Sequence, residues 1–276
     1  MTRKIWLIAD DYGLSAGVSA SIRELIVQGR LSGTGCMTLF PEWPQEAQHL
    51  HALPTQAAIG LHLTLTDQMA ATGPSALAEG GRLPPLGRLA RLTTLSTAAA
   101  RAAMAELDEQ YTRFTDVMGR APDFIDGHQH VHFLPVARRW LVQRFADLPP
   151  SARPFVRGSP SIRFAPSHVV AKAAVVQTLA LGYDASVARH GFAVHGPLAG
   201  FYKWDDPEEF STMLSSCLRN LPEGALVMCH PGHPDTVLAS RDRLTAPRAI
   251  EHTFLSSQAF VDMLRAADVQ LAGMPR

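Results

Sequence analysis

Titratable side chains stand at the ends of four apolar runs, and their types are those that bind metal ions. The run ending in "ADDYG" carries Asp10 and Asp11, and the run "IGLHLTL" contains His62. A third run leads into "FIDGHQHVHF" and a fourth into "LVMCHPGHPD", which contains His230. Two imidazoles and one carboxylate can hold a divalent cation and leave positions open for water and a substrate oxygen. This donor set suits hydrolysis and non-haem iron chemistry alike, and spacing does not choose between them.

The third run places His128, His130 and His132 at two-residue spacing, with Asp126 extending the same row. In extended backbone alternate side chains share a face, so the aspartate and the first two histidines are predicted to project together. The last histidine joins them if the strand continues that far. Desolvated imidazoles need polar partners, which a metal ion or a polar substrate supplies. The alternative is an exposed strand end with solvated histidines.

The adjacent aspartates Asp10 and Asp11 also have two interpretations, as part of a metal site or as ordinary polar residues. Carboxylates held close together repel, and the pKa of one rises unless a cation lies beside them. A bound metal removes the repulsion and leaves the second carboxylate as a general base. Alternatively, one aspartate caps the helix predicted from residue 16, or both are exposed. His62 alone is compatible with a hydrogen-bonded core histidine or with a ligand.

Short β-rich segments alternate with helical patterns along the chain, which favours a parallel sheet. Strands are predicted at 4–9, 36–40, 57–65, 123–128, from 155 and at 225–230, and helices at 16–28, 96–117, 135–145, 167–181, 207–221 and 256–266. We predict an α/β fold: a single irregular (β/α) barrel of about seven parallel strands, TIM-barrel-like, with an open doubly wound sheet as the alternative. In a barrel the carboxyl ends of the strands form one face, so the four polar clusters are predicted to meet there.

Length and composition set further limits. Residues 1–276 are predicted to form one domain, with a long loop insertion at about 67–95 over the functional face. Lys plus Arg and Asp plus Glu both total 25, so no nucleic-acid partner is expected. No apolar stretch reaches the roughly 20 residues that would insert in a membrane. The cysteines, Cys36, Cys217 and Cys229, lack metal-type spacing, and with no export signal near the N-terminus they suit a cytoplasmic location.

Four blocks in order, "ADDYG", "GLHLTLT", "DGHQHVH" and "MCHPG", span residues 9–232. Together they resemble the YdjC-type carbohydrate deacetylase family, which includes diacetylchitobiose deacetylase and is similar to the NodB-type polysaccharide deacetylases. The resemblance implies an irregular (β/α) barrel with one divalent metal ion, magnesium or zinc. It also implies hydrolytic removal of an N-acetyl group from a small amino sugar or a chitooligosaccharide-like oligosaccharide.

The resemblance also implies roles for individual residues. Asp11, His62 and His128 correspond to the metal ligands, and Asp10 corresponds to the base that deprotonates the attacking water. His230 would protonate the leaving amine from the opposite side of the amide. By the same resemblance, His130 and His132 are expected to orient a metal ligand or to contact the substrate.

This sequence departs from the family pattern at Gln129, which stands where the chitobiose enzyme has histidine and is predicted to point away from the site. For the aromatic residues Tyr202 and Trp204 there are two expectations: they stack on the face of a sugar, or they cover an edge of the hydrophobic core. His233 and Asp235 follow the fourth block without an assigned role.

Two other functions remain open at this point. Metal-dependent amidohydrolases and phosphoesterases use histidine-rich barrels, but they commonly carry H-x-H after the first strand, where this chain has D-D. A non-catalytic sugar- or metal-binding relative is the other alternative. The donor set suits Zn²⁺, Co²⁺ or Ni²⁺ more naturally than Mg²⁺. The expected partner is a small-molecule N-acetylated sugar, free or lipid-linked, and a homodimer is compatible with the sequence.

Overall fold

The structure is a computed structural model in which residues 2–204, 206 and 208–274 are described. The strands are β1 (Arg3–Tyr12), β2 (Gly33–Cys36), β3 (Ala58–Leu63), β4 (Phe124–Gly127), β5 (Phe155–Arg157), β6 (Val194–His195), β7 (Leu198–Ala199), β8 (Leu226–Cys229) and β9 (Val269–Leu271). The helices are α1 (Ala16–Val27), α2 (Trp43–Gln48), α3 (Leu86–Leu95), α4 (Thr97–Met118), α5 (Pro135–Arg144), α6 (Val170–Leu179), α7 (Tyr183–Arg189), α8 (Glu209–Asn220), α9 (Thr236–Arg241), α10 (Ala246–Ser256) and α11 (Gln258–Ala266).

Eight strands form a nearly closed parallel barrel in the order β6-β5-β4-β3-β2-β1-β8-β7, and β9 pairs with β1 beside this path. Every pairing between these strands is parallel. The predicted TIM-barrel-like fold is therefore confirmed. Parallel pairing brings the carboxyl ends of the strands to one face, which is where the polar clusters lie.

The strands and helices form where the apolar pattern requires them. All six residues of β3 are buried, as expected for a strand covered on both faces. Helix α4 begins after Ser96, whose hydroxyl accepts a hydrogen bond from the backbone N–H of Ala99, and ends at Gly119 in the left-handed conformation. Its inward face packs Leu107 and Phe114 against the barrel.

The strand predicted at 36–40 is misplaced, because β2 spans Gly33–Cys36 and shares only Cys36 with the prediction. Strand β2 approaches its neighbour so closely that a Cβ atom on Gly33 would lie 2.0 Å from the carbonyl oxygen of Ala58. A Cβ atom on Gly35 would meet the side chains of His62 and Asp126 at 3.0–3.2 Å. Glycine is therefore needed at both positions, although glycine in a sequence usually indicates the end of a strand.

The segment predicted as a loop insertion at 67–95 is partly helical, since α3 occupies its last third. The rest contains an antiparallel bridge between Met69 and Arg82 and a short 3₁₀ turn. The helix predicted at 207–221 is observed as α8, and its predicted first residue lies outside the described residues. Among the described residues, none of the helices is both long and apolar enough to span a bilayer.

Candidate active site

A cavity of about 520 Å³ opens at the carboxyl ends of the strands and gathers the predicted clusters. Its polar lining residues come from β1, β3 and the segments after β4 and β8, and also from α6, the segment after β7, the end of α9 and α10: Asp10, Asp11, His62, His128, Gln129, His130, Lys172, Trp204, His230, Asp242 and Arg248. The convergence predicted from strand-end positions is therefore observed.

A bulge at the end of β1 explains how two adjacent aspartates both face this cavity. Ala9 pairs with Thr34 of β2 and Tyr12 pairs with Cys36, so β1 holds one extra residue between these pairs. Asp11 takes a positive φ of 70°, which turns its side chain to the same side as that of its neighbour. Both carboxylates are buried, at 3% and 1% exposure. Neither caps α1, because Ser15 does so.

Asp11, His62 and His128 form a three-residue cluster with the spacing of metal ligands. The Oδ1 atom of Asp11 lies 3.4 Å from Nε2 of His62 and 3.0 Å from Nδ1 of His128. Ligand atoms about 2.0–2.2 Å from one cation at angles near 90–110° are separated by about 2.8–3.6 Å. The donor atoms of these three side chains all lie within 4.8 Å of one another. The residues therefore fit a single divalent ion.

His62 is oriented by Asp126, which sequence reasoning placed in the row but gave no role. Its Nδ1 atom lies 2.7 Å from Oδ1 of the fully buried Asp126 carboxylate. A proton on Nδ1 leaves Nε2 free to face Asp11, which is how carboxylates commonly orient metal-binding histidines. Burial opposes a charge on this ring, but without a cation the carboxylates of Asp126 and Asp10 raise its pKa to about 10, so a cation bound at Nε2 would displace a proton.

Asp10 forms an ion pair that the sequence did not predict. The guanidinium of Arg157, itself fully buried at the end of β5, donates to both carboxylate oxygens of Asp10 and also pairs with Asp126. Burial raises the pKa of Asp10, and the Arg157 charge opposes that effect. Arg157 occupies both oxygens of Asp10, and the two oxygens of Asp126 contact Nδ1 of His62 and Arg157, so these two carboxylates are poorer candidates for metal ligands.

A second unpredicted arginine lies on the other side of the pair. Arg248 of α10 donates to Oδ2 of Asp11 at 2.6 Å and contacts Oδ2 of Asp242 at the same distance. Despite burial, the charges of Arg248 and His128 hold the pKa of Asp11 well below its usual range. Asp11 is therefore ionised and fixed, with Oδ1 directed at the two imidazoles.

His230 follows β8 and lies in the same cavity beside Asp10, outside the three-residue cluster. Its Nε2 atom is 3.7 Å from Oδ2 of Asp10, and its ring packs on Trp204 with centroids 4.8 Å apart. Its backbone N–H donates to buried Glu251, which also accepts from the hydroxyl of Tyr202. Burial lowers the pKa of the His230 ring well below its ordinary value. The imidazole is therefore neutral in the resting site.

The extended histidine row predicted after Asp126 is wrong. Strand β4 ends at Gly127, and a short 3₁₀ turn follows in which Gln129 and His130 take positive φ angles of 48° and 61°. The turn still directs His128 and His130 into the cavity. Gln129 is among the residues that line the cavity, and its exposed side chain donates to Oδ2 of Asp67 at 2.8 Å.

Two of the expected substrate contacts lie behind the cavity wall. His132 is 2% exposed and packs against Phe133, with ring centroids 3.9 Å apart. Tyr202 is 3% exposed, and its ring stacks under that of Trp204 at 5.7 Å. Trp204 itself lines the cavity. His132 and Tyr202 thus support the wall, whereas Trp204 is available to a substrate.

His233 and Asp235, which follow the fourth block directly, do not line the cavity. Asp235 caps α9 by accepting from the backbone N–H of Leu238 at 2.7 Å, and it accepts from that of Gly17 at the same distance. It therefore joins this loop to the start of α1. His233 lies on the surface beside Glu24.

Fold and site together define a parallel (β/α) barrel protein with a candidate Asp/His metal centre at the carboxyl ends of its strands. The chain belongs to the family described as YdjC-like protein, whose model matches residues 4–266. The family resemblance given by the four sequence blocks is thereby confirmed.

Curated relatives and a solved structure extend over most of the chain. A carbohydrate deacetylase of Mus musculus is 26% identical, with 84% of this chain and 78% of the relative aligned. A chitooligosaccharide deacetylase of Klebsiella pneumoniae is 27% identical over 86% of this chain and 85% of its own. A protein of Enterococcus faecalis V583, named for a suspected role in cellobiose-phosphate cleavage, superposes with a TM-score of 0.73. It covers 99% of this chain and 97% of its own at 20% identity, which shows a shared fold.

Proposed function

We propose that this protein is a metal-dependent hydrolase that removes an N-acetyl group from a small amino sugar or a chitooligosaccharide-like oligosaccharide. One observation carries the proposal: a three-residue ligand cluster, a separate buried carboxylate and a neutral imidazole border one cavity. Amide hydrolysis needs a nucleophile, stabilisation of the oxyanion and a proton for the leaving nitrogen. The names of the curated relatives support the choice of an acetylated sugar.

Asp11, His62 and His128 would hold the cation. A divalent ion bound there acidifies water and polarises a carbonyl group. With two imidazoles among three ligands, we propose zinc, cobalt or nickel rather than magnesium. Asp126 and Arg248 fix two of the ligands in place and so prepare the site before the cation binds.

Asp10 is proposed as the general base. It faces the cavity beside the ligand cluster without belonging to it, and Arg157 keeps it ionised and oriented. Burial raises its pKa, which makes a carboxylate a better proton acceptor. Its role is to take a proton from the attacking water.

His230 is proposed to deliver a proton to the leaving amine. Because burial keeps its ring neutral, the ring needs a proton during the reaction. The carboxylate of Asp10, 3.7 Å away, has just received one. We propose that this proton passes from Asp10 to Nε2 of His230 and from there to the departing nitrogen.

Trp204 and His130 would bind the sugar. The indole of Trp204 contacts His230, Tyr202 and Lys172 at the cavity wall, and the part of it that lines the cavity is proposed to pack against a pyranose ring. Partial burial and the nearby charge of Arg157 lower the pKa of His130 to about 3, so its ring is a neutral hydrogen-bonding group.

The cavity also favours a second kind of substrate. One wall consists of apolar residues of α6 with Leu244, and among them Val175 is 63% exposed. Exposed apolar surface at a site rim binds apolar ligand groups. An acetylated amino sugar joined to a lipid or another apolar group is therefore the second candidate.

Acetate release tests the proposal. Zinc-loaded protein is incubated with N,N′-diacetylchitobiose, with an acetylated amino sugar glycosidically linked to an alkyl chain, and with p-nitrophenyl phosphate. We expect acetate from at least one acetylated sugar and no phosphate release. Phosphate release without acetate would instead favour a phosphoesterase. No turnover of any substrate, with zinc bound in the cavity, would favour a non-catalytic sugar-binding protein.

We also propose a cytoplasmic location. The three cysteines are free thiols buried among apolar side chains, as suits a reducing compartment. Localisation of a fluorescent fusion by microscopy and fractionation tests this, and recovery of the protein from an oxidising compartment would contradict it.

A further inference from the structure

A second group of metal-binding side chains lies outside the cavity. Glu24 of α1, His233 of the loop after β8 and His252 of α10 meet at the surface. The Oε2 atom of Glu24 lies 3.0 Å from Nε2 of His233 and 3.7 Å from Nε2 of His252. The two imidazole centroids are 4.3 Å apart. Three elements that are remote in sequence thus direct their donor atoms at one point.

The separations match those of a shared cation. Ligand atoms about 2.0–2.2 Å from a tetrahedral or octahedral ion lie about 3.0–3.6 Å apart, so small rotations of these side chains suffice. Glu24 is 50% exposed and His233 is 42% exposed. Water can therefore fill the remaining coordination positions, and the ion can reach the site from solvent.

Neighbouring contacts orient two of the three ligands. The hydroxyl of Ser21 is 2.8 Å from Nδ1 of His252, which leaves Nε2 to face Glu24. The backbone N–H of His233 donates to the carbonyl of Gly17 at 3.2 Å, which fixes the loop against α1.

We propose that Glu24, His233 and His252 form a second site for a divalent cation of the zinc class, independent of the cavity. Two imidazoles and one carboxylate select zinc, nickel or cobalt over magnesium and calcium. A cation held there would join α1 and α10 to the loop that begins at His230. The site is structural in this proposal, since it lies on the surface and no cavity residue belongs to it.

Zinc content per chain tests the proposal. Wild-type protein and the variants Glu24→Gln, His233→Ala and His252→Ala are stripped with chelator, dialysed against a micromolar zinc buffer and measured by elemental analysis. His190→Ala, which removes an exposed histidine of another surface, is the matched control. We expect each of the three variants to bind one zinc ion fewer than the wild type and the control.

The outcome does not depend on the cavity site. If the cavity also binds zinc, the number of zinc ions per chain falls from two to one in each variant. If the cavity binds none, the number falls from one to zero. Equal zinc content in the wild type and in all three variants would overturn the proposal. Because Glu24 and His233 are well exposed, their replacement leaves the fold intact, and circular dichroism of each stripped variant checks this.

Discussion

Replacing Asp126 by asparagine removes the negative charge that orients His62 while keeping the size of the side chain. Both contacts of the Asp126 carboxylate are to donors: Nδ1–H of His62 at one oxygen and the Arg157 guanidinium at the other. An amide has one acceptor oxygen and one donor NH₂ group. In either orientation of the asparagine amide, its NH₂ group faces another donor at one of the two contacts. If the amide NH₂ faces His62, the ring proton moves to Nε2 and blocks the proposed ligand atom.

The expected effect is weaker zinc binding. Loss of an outer carboxylate from a metal-bound histidine typically lowers affinity by about 10- to 100-fold. At about 1.4 kcal/mol per tenfold change, this corresponds to about 1.4–2.7 kcal/mol. We expect the upper part of this range for Asp126→Asn, because the site is fully buried and no water replaces the lost acceptor.

Zinc affinity is measured by competition with a chromophoric chelator at neutral pH. The measurement uses chains that also carry His252→Ala, so that the cavity site alone is titrated. Asp116→Asn, an exposed carboxylate on α4, is the matched control and is expected to bind zinc like its parent. Equal zinc affinity in Asp126→Asn and in the control would refute the role of His62 as an oriented ligand.

Three further predictions concern catalysis, stability and pH. Asp10→Asn is expected to lower kcat for acetate release by about 10²- to 10⁴-fold while zinc stays bound, whereas Asp11→Asn loses the zinc; the opposite pattern would exchange their roles. Glu251→Ala leaves two buried donors unpaired and is expected to lower the free energy of unfolding by about 2–5 kcal/mol in urea titration, and an unchanged midpoint would contradict this. In the metal-free protein, His62 has a pKa raised to about 10, so the stability from its proton is complete below about pH 6.5 and is lost as the pH rises through 10. His130, with a pKa lowered to about 3, contributes stability above about pH 6.5 that is lost as the pH falls toward 3. In chelator, the stability difference between wild type and His62→Gln is therefore expected to shrink from about pH 6.5 to 9, and that between wild type and His130→Gln to shrink from about pH 6.5 to 5; differences that do not change with pH would contradict the two assignments.

The barrel was predictable because its strands and helices follow clear apolar patterns. Long periodic segments such as α4 were located to within a residue at each end. The short strand β2 was misplaced, because the glycines that let it approach β3 are also the residues that usually end a strand. The strands β6 and β7 have two residues each and carry no such pattern.

The candidate ligands were predictable because each stands at the end of an apolar run. Their charged partners were not, since Arg157 and Arg248 are separated from the two aspartates by more than 140 residues along the chain. The bulge that turns Asp11 inward depends on a local register shift between β1 and β2. Likewise, the left-handed residues Gln129 and His130 end the strand where alternation suggested that it continued.

X-ray diffraction from zinc-soaked crystals, recorded on both sides of the zinc absorption edge, tests the central claim most directly. We predict an anomalous peak in the cavity within about 2.0–2.2 Å of one donor atom each from Asp11, His62 and His128. Asp10 is predicted to stay paired with Arg157, outside the coordination sphere. Full-occupancy zinc held by Asp10, or a cavity without an anomalous peak at saturating zinc, would contradict the account.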